Sequence, residues 1–302
     1  SLLATHIKLN VARFQQGQPL SLPLHVADAF RAVLLEENSD PALMALILTL
    51  PGENEVAELF EVIDPVAIAE VRRALMSTLA TELADEWLAV YHAHRVDAYR
   101  IDHADIGKRA LKNTCLNYLA FGESDLADRL VTAQFRQANN MTDSLAAMTA
   151  SVAAQLPCRE TLLAEFDERW HKDGLVMDKW FTLQATSPAN DVLSRVRALL
   201  SHRSFTLSNP NRIRSLIGAF ASGNPSAFHA ADGSGYRFLV EILTDLNTRN
   251  PQVASRIIEP LIRFKRYDEA RQALMRSALE QLKALDNLSG DLYEKISKAL
   301  QD

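Results

Sequence analysis

Apolar residues recur along most of the chain at the three- and four-residue spacing that is typical of amphipathic helices. The clearest example is a four-residue repeat of large apolar side chains from Leu75 to Tyr91, which predicts the longest helix, from about residue 65 to 91. No window shows the sustained alternation of a strand, apart from residues 204–207, which are too few to assign. The pattern therefore predicts an all-α fold.

The same periodicity predicts further helices on either side of this long one. Their expected ranges are 2–15, 23–37, 42–50, 53–61, 102–121, 124–137, 142–155, 159–171, 174–185, 191–201, 210–221, 235–248, 251–264, 268–285 and 289–300. Short connections make consecutive helices antiparallel neighbours. No repeat of fixed period is present, so a tetratricopeptide or ankyrin array is not indicated. We expect an irregular superhelical array of antiparallel helix pairs, a solenoid-like bowl with a concave face.

A capping residue followed by proline recurs at the breaks between the periodic segments. Such a side chain accepts a hydrogen bond from a free backbone N–H, and proline at the first helical position gives up no needed donor. The pattern predicts helix starts at six places: Asp40-Pro41, Asp64-Pro65, Ser187-Pro188, Asn209-Pro210, Asn224-Pro225 and Asn250-Pro251.

Composition places the chain among soluble globular proteins. Its 302 residues are 48% hydrophobic and 23% charged, and only ten are glycine, which argues against an all-β fold rich in tight turns. Cys115 and Cys158 have neither metal-ligand nor redox spacing, which predicts two reduced thiols.

No apolar run approaches the ~20 residues that span a bilayer, so we expect no membrane contact. The chain does not start with Met, and its helical periodicity is already present at Leu2. We therefore expect its first residue to be a boundary at which a longer protein was cut.

Charge is distributed unevenly within the net value of −6. Residues 1–186 carry 16 basic and 26 acidic side chains, whereas residues 187–302 carry 16 basic and 12 acidic ones. The C-terminal third is therefore expected to face an anionic group. Its basic residues are interspersed with acids, which argues against nucleic acid as that partner.

The chain lacks the motifs of the common catalytic and metal centres. No His is followed by Glu, so there is no H-E-x-x-H zinc helix, and no G-x-S-x-G nucleophile elbow is present. His92 and His94 would point about 200° apart on a helix, so a metal cluster with His103 is not expected. The loop DGSGY at residues 232–236 lacks the P-loop Lys and predicts a capped turn instead, and His229 is expected to pack structurally.

Two arginines are the candidate ligand-binding residues. Arg214 lies at the edge of the apolar stripe of the helix from Pro210, one turn before Gly218, where the missing side chain leaves room for a ligand or a neighbouring helix. Arg256 lies on the helix from Pro251, in which Pro260 should produce a kink. The pattern alone leaves open an Arg214 bonded to a carboxylate in ordinary packing, and an Arg256 on a solvated face shared with Arg249 and Arg263.

Several segments resemble the C-terminal domain of bacterial-type zinc aminopeptidase N. They are NPNRIRSLIGAFA at 209–221, NP at 224–225, FH at 228–229, GSGY at 233–236, NPQVASR at 250–256, RYD at 266–268, NMTD at 140–143 and DKWF at 178–181. In that family a separate catalytic domain holds zinc through two His and a Glu and uses another Glu as the general base. None of these groups can be assigned here, so no catalytic or metal residue is expected in this chain.

The resemblance implies a single non-catalytic C-terminal domain over residues 1–302, one fragment of a larger peptidase. It implies that Arg214 and Arg256 face the active-site chamber and the bound peptide, and that zinc belongs to the parent enzyme. The implied partners are the catalytic domain of the same polypeptide and peptide substrates, and the unpaired cysteines and the resemblance favour the bacterial cytoplasm. The alternative is a free-standing α-solenoid scaffold that binds a protein or peptide in its concave face.

Overall fold

The structure is a computed structural model that describes residues 2–301, with Leu2 described by its backbone only. Every regular element among these residues is helical, so the all-α prediction is confirmed. The helices of the first part of the chain are α1 (Leu2–Gln15), α2 (Leu24–Leu34), α3 (Pro41–Leu48), α4 (Glu53–Ala57), α5 (Pro65–Glu82), α6 (Ala84–Ala93), α7 (His103–Ala120), α8 (Ser124–Gln137), α9 (Met141–Ala153) and α10 (Arg159–Trp170).

Further α-helices and two non-α helical turns follow in the second part. They are α11 (Gly174–Ala185), α12 (Val192–Leu199), α13 (Pro210–Ile213), a π-turn (Arg214–Gly218), α14 (Ala219–Gly223), α15 (Pro225–Phe228), α16 (Ser234–Arg249), α17 (Pro251–Ile257), α18 (Glu259–Ile262), a 3₁₀ turn (Phe264–Arg266), α19 (Glu269–Lys283) and α20 (Gly290–Ala299). Most observed ends lie within a few residues of the predicted ones.

The chain forms two compact units, each with its own core. The first unit comprises the residues up to Val56 together with Ala67–Phe166, and the second comprises Ala57–Val66 together with the residues from Asp167 onward. The expectation of a single domain over residues 1–302 stays a prediction.

The prediction of one helix over residues 65–91 is wrong, because the chain breaks at Leu83 between α5 and α6. The Trp87 indole N–H donates to the Leu79 carbonyl oxygen at 2.9 Å, and this oxygen also accepts from the Leu83 backbone N–H at 3.2 Å. A side chain that enters the backbone ladder is a recognised cause of a kink. Trp87 also stacks on Tyr118 with ring centroids 4.1 Å apart, so the break seats a fully buried indole in the core of the first unit.

Three of the six predicted proline-linked caps form as expected. The side-chain oxygens of Asp40, Asn209 and Asn250 accept hydrogen bonds from the first-turn N–H groups of α3, α13 and α17. Each helix starts with the proline that follows the cap, and α5 likewise starts with Pro65. Local sequence is sufficient at these caps because donor and acceptor are two or three residues apart.

Two of the predicted caps have other roles. No helix begins at Pro188; instead the Ser187 hydroxyl accepts from the Ala189 N–H in a short turn, and α12 starts later. Asn224 precedes α15 but makes no capping bond. Its buried amide donates to the backbone oxygens of Ala185 and Ser187, at 3.0 and 2.8 Å. Because these acceptors are almost forty residues away, the sequence pattern did not reveal them.

The predicted kink near Pro260 is confirmed. α17 ends at Ile257, and a separate short helix, α18, begins at Glu259 with the proline in its first turn. Proline lacks the N–H that a continuous helix would need there. α17 therefore ends one residue beyond Arg256.

Helix α4 ends at Ala57, four residues before the predicted end at 61. The segment that follows, up to residue 66, belongs to the second unit and forms hydrogen bonds with Arg266 of that unit. The Arg266 side chain donates to the Phe60 oxygen at 2.8 Å, and the Ile63 N–H donates to the Arg266 oxygen at 2.7 Å. These long-range bonds satisfy backbone groups of the segment that follows α4.

Candidate functional site

The candidate site is built on the helix that runs from Pro210 to Gly223, which changes from α to π geometry between Arg214 and Gly218. The Ser215 hydroxyl donates to the Asn211 carbonyl oxygen at 2.5 Å, one turn back, and so occupies an acceptor of the α ladder. The backbone carbonyl oxygen of Ser215 accepts from the Thr182 hydroxyl of α11 at 2.9 Å. Such π segments are rare and occur frequently at functional sites.

Arg214 is exposed at the start of the π-turn. Its Nη1 donates to the side-chain oxygen of Asn211 at 3.2 Å, and no ion pair joins it to a carboxylate of residues 2–301. The carboxylate-bonded packing role that the pattern left open is therefore not what the structure shows. A neutral amide partner orients the guanidinium without compensating its charge.

Gly218 brings the helix of Arg214 against α17. A Cβ atom at this position would lie 3.2 Å from Ile257 Cδ1 and 3.8 Å from Arg214 Cβ, which is a tight fit for any side chain. The space left by the glycine is used by a neighbouring helix. Because Ile257 follows Arg256 directly, the two predicted site arginines lie on helices that touch.

Arg256 is exposed on α17 and forms no hydrogen bond or ion pair within the described part of the chain. The two arginines that were expected to share its face are engaged elsewhere. Arg249 bonds to Asp245 at 2.7 Å, and Arg263 bonds to Glu58 at 2.9 Å. The charges of Arg214 and Arg256 are thus uncompensated, whereas those of the flanking arginines are paired.

A shallow cavity of about 560 Å³, widely open to solvent, adjoins this site in the second unit. Asn211, the partner of Arg214, lines it together with the basic residues Arg169, Lys172 and Arg212 and the acidic residue Asp173. Arg212 is paired with the carboxylate of Asp178, whereas Lys172 has no ion pair among residues 2–301.

The cavity has apolar as well as basic walls. Trp170 and Leu175 line it, and the Arg169 guanidinium lies 5.1 Å from the Trp170 ring centroid. A Cβ at Gly174 would clash with Arg212 Nη2, so the glycine provides the space that this guanidinium occupies. The arrangement suits a ligand that has a carboxylate and an apolar group.

Sequence reasoning found neither this cavity nor the role of Asn211. The basic residues near 170 and the NPNR segment at 209–212 are almost forty positions apart, and only tertiary packing brings them together. The Asp173-Gly174 start of α11 was the available signal, because a glycine there leaves space for a neighbouring side chain.

The loop at residues 232–236 is a capped turn, as predicted. One oxygen of Asp232 accepts from the Ser234 N–H at 2.9 Å and from its hydroxyl at 2.6 Å, and these hydrogen bonds lower the pKa of Asp232. Gly233 has φ +72°, a conformation that favours glycine, and α16 starts at the next residue.

His229 packs in the core, as expected. Its Nδ1 lies 2.7 Å from the Tyr236 hydroxyl, and its ring stacks on Tyr267 with centroids 4.1 Å apart. Burial, reinforced by the nearby Arg271 charge, lowers the pKa of His229 to about 3. A neutral, fully packed imidazole has a structural role here.

The residues that the structure describes form no zinc site. No group of three or more His, Cys, Asp or Glu side chains in residues 2–301 is placed to hold a metal ion. The same residues contain no helix with both the length and the apolar content that crossing a bilayer requires.

The fold and the sequence identify the class of domain. Stacked short helices without strands among residues 2–301 define an α-helical repeat domain. Residues 1–301 match the family model described as "Domain of unknown function (DUF3458_C) ARM repeats", and the chain belongs to this family.

Known relatives of this chain are aminopeptidases. It is 74% identical over 300 residues to aminopeptidase N of Escherichia coli (strain K12) and 49% identical over 300 residues to that of Haemophilus influenzae; each alignment covers 99% of this chain and 34% of the relative. The crystal structure of Legionella pneumophila aminopeptidase A in complex with aspartic acid superposes with a TM-score of 0.88 at 26% identity, covering 99% of this chain and 36% of that one. The chain thus spans about a third of these proteins and corresponds to the C-terminal part of aminopeptidase N, which confirms the resemblance.

Proposed function

We propose that this chain is the non-catalytic C-terminal domain of a zinc aminopeptidase that removes N-terminal residues from peptides. In this proposal it encloses the active site, restricts access to it, and binds the peptide through Arg214 and Arg256. The observation that carries the proposal is the pair of uncompensated arginines on touching helices, within the segment that matches aminopeptidase N. That match favours an aminopeptidase domain over a free-standing scaffold.

The metal and the bond-breaking groups belong, in this proposal, to the rest of the polypeptide. Zinc would supply Lewis-acid chemistry there, and no residue of this chain is assigned to it. The partners are the catalytic domain of the same polypeptide and the peptide substrate, and the parent enzyme is assigned to the bacterial cytoplasm.

The two guanidinium groups are suited to peptide binding because each stays charged and offers paired donors to a carboxylate or to backbone carbonyl oxygens. Enclosure would exclude folded proteins and admit peptides. It would also lower the effective dielectric constant around the ligand, which strengthens charged contacts. The basic and apolar cavity beside Asn211 extends the surface available to a longer peptide. These contacts act on affinity and on length preference more than on bond cleavage.

The test is to make Arg214→Ala and Arg256→Ala in the full-length enzyme and to measure KM and kcat for peptides of two to six residues. Losing one partly solvated charge-assisted contact should cost ~1 kcal/mol and raise KM about fivefold or more, with kcat retained. The effect should be larger for peptides than for an aminoacyl arylamide, which has no C-terminal carboxylate.

Arg197→Ala is the matched control, because it removes an exposed arginine of the same unit that is already paired with Glu241 at 2.8 Å. Its KM values should match those of the unmodified enzyme. Unchanged kinetics for both Arg214→Ala and Arg256→Ala at every peptide length would remove these residues from the site.

A further inference from the structure

Helix α3 has an apolar surface on both sides. Its sequence, PALMALIL, contains no charged or hydrogen-bonding side chain. Met44, Ala45 and Leu48 are buried against the first unit, as an amphipathic helix requires. The opposite face carries Leu43, Leu46 and Ile47, which are 51%, 74% and 51% exposed.

These three leucine and isoleucine side chains lie at spacing i, i+3 and i+4, so they form one continuous strip. Further exposed apolar side chains occur on elements that contact α3: Leu35 at the end of α2 and Ile106 on α7. α7 approaches α3 closely, since a Cβ at Gly107 would lie 3.3 Å from the Ala42 backbone nitrogen.

Not every helix of the same unit exposes an uncharged apolar face. α8, for example, exposes Asp125, Arg129 and Arg136 while it buries Ala127 and Val131. A helix that is apolar all round is normally covered on all sides. A strip of large side chains without a charge therefore indicates a missing partner.

The relatives indicate what that partner is. The chain spans only 34% of aminopeptidase N from Escherichia coli, so about two thirds of the homologous polypeptide lies outside it. A domain of the same polypeptide is always present. The face that it covers is not exposed to water and therefore needs no charged side chains to keep the protein soluble. We propose that the strip of Leu43, Leu46 and Ile47 docks against another domain of the same, longer polypeptide. The inference rests on the proposed function for the existence of that domain.

The test measures thiol labelling in the full-length polypeptide. Leu46→Cys is compared with Tyr293→Cys, which lies on α20 between the charged residues Asp291 and Glu294 and is 53% exposed. Cys158→Ser is included in both variants, and Cys115 is buried, with a pKa that burial raises to about 12, so it contributes little background. Labelling at each site is followed by peptide mass spectrometry and divided by the rate in the urea-unfolded protein.

Within this chain Leu46 is more exposed than Tyr293, so without a covering domain the thiol of Leu46→Cys would label at least as fast as that of Tyr293→Cys. Docking reverses the order: we expect the thiol of Leu46→Cys to label at least about tenfold more slowly. A labelling rate at position 46 that equals or exceeds the rate at position 293 overturns the proposal.

Protein concentration distinguishes the possible partners. Protection that is independent of concentration is expected for a domain of the same polypeptide, whereas protection that disappears on dilution assigns the strip to a second copy and overturns the proposal. Peptide hydrolysis measured on the same samples separates this inference from the proposed function. An active enzyme with a fast-labelling thiol at position 46 refutes only the docking surface, and a protected thiol there in a protein without aminopeptidase activity refutes only the function.

Discussion

Four exposed arginines of the second unit are paired with carboxylates. The pairs are Arg197 with Glu241, Arg203 with Asp167 and Glu168, Arg249 with Asp245, and Arg263 with Glu58. A surface pair of this kind contributes only ~0–1 kcal/mol, so the fold loses little by leaving Arg214 and Arg256 unpaired. These two guanidinium groups therefore remain available for a ligand at little cost in stability.

His229 makes a pH-dependent contribution to stability that can be measured. Because burial lowers its pKa to about 3, the folded chain keeps the imidazole neutral while the unfolded chain takes up a proton near its ordinary pKa of ~6.5. The stabilisation is present above pH ~6.5 and is lost as the pH falls, by about 2 kcal/mol between pH 7 and pH 5. Urea unfolding at pH 7 and at pH 5 measures this loss. Between these pH values the free energy of unfolding should decrease less for His229→Gln than for the unmodified chain.

His92→Gln is the control for this prediction, because His92 is exposed on α6. For His92→Gln, the difference in the free energy of unfolding between pH 7 and pH 5 should equal that of the unmodified chain. An equally steep decrease in His229→Gln would show that other groups cause the acid sensitivity.

At the scale of elements, the contact between Gly218 and Ile257 fixes the distance between the two arginine-bearing helices. Gly218→Leu should overpack this contact and lower the free energy of unfolding by ~1–3 kcal/mol. Ile257→Ala in the same chain should relieve part of that loss, so the double variant should be more stable than the sum of the single effects predicts. Denaturant unfolding of the four proteins gives the coupling energy.

Gly290→Leu is the matched control, because Gly290 has open space where a Cβ would be placed. Gly290→Leu should change the free energy of unfolding by no more than ~0.5 kcal/mol. Additive effects of Gly218→Leu and Ile257→Ala would mean that the two residues do not limit each other's packing.

At the scale of the whole molecule, no group of residues among 2–301 is placed to hold a metal ion. We expect the 302-residue chain, supplied with zinc, not to hydrolyse aminoacyl arylamides, whereas the full-length enzyme should hydrolyse them. The measurement is release of the arylamine with and without a chelator. Zinc-dependent turnover by the chain alone would contradict the assignment of catalysis to another domain.

The excess of basic side chains in residues 187–302 does not extend to the whole second unit. Residues 57–66 and 167–186 belong to the same unit and add mostly acidic side chains, so the unit as a whole carries 19 basic and 19 acidic side chains. The expectation of an anionic ligand therefore rests on the local arrangement of Arg214 and Arg256 and not on the net charge of the unit.

The sequence by itself determined the all-α fold, most helix ranges and the caps at Asp40, Asn209 and Asn250, because these depend on periodicity and on contacts two to four residues apart. It also determined the resemblance to aminopeptidase N, since that is carried by contiguous motifs. Arg214 and Arg256 were selected on the same basis, and their role stays a prediction.

Only the tertiary structure decided the break at Leu83, the π-turn at Arg214, the long-range bonds of Asn224 and the cavity beside Asn211. The buried Trp87 indole donates to a carbonyl oxygen eight residues before it, and Asn224 bonds to carbonyls almost forty residues away. Side chains that compete for backbone groups can change a helix without any change in its hydrophobic pattern. Which arginines remain unpaired was likewise decided by folding, because Glu58 reaches Arg263 across more than two hundred residues of sequence.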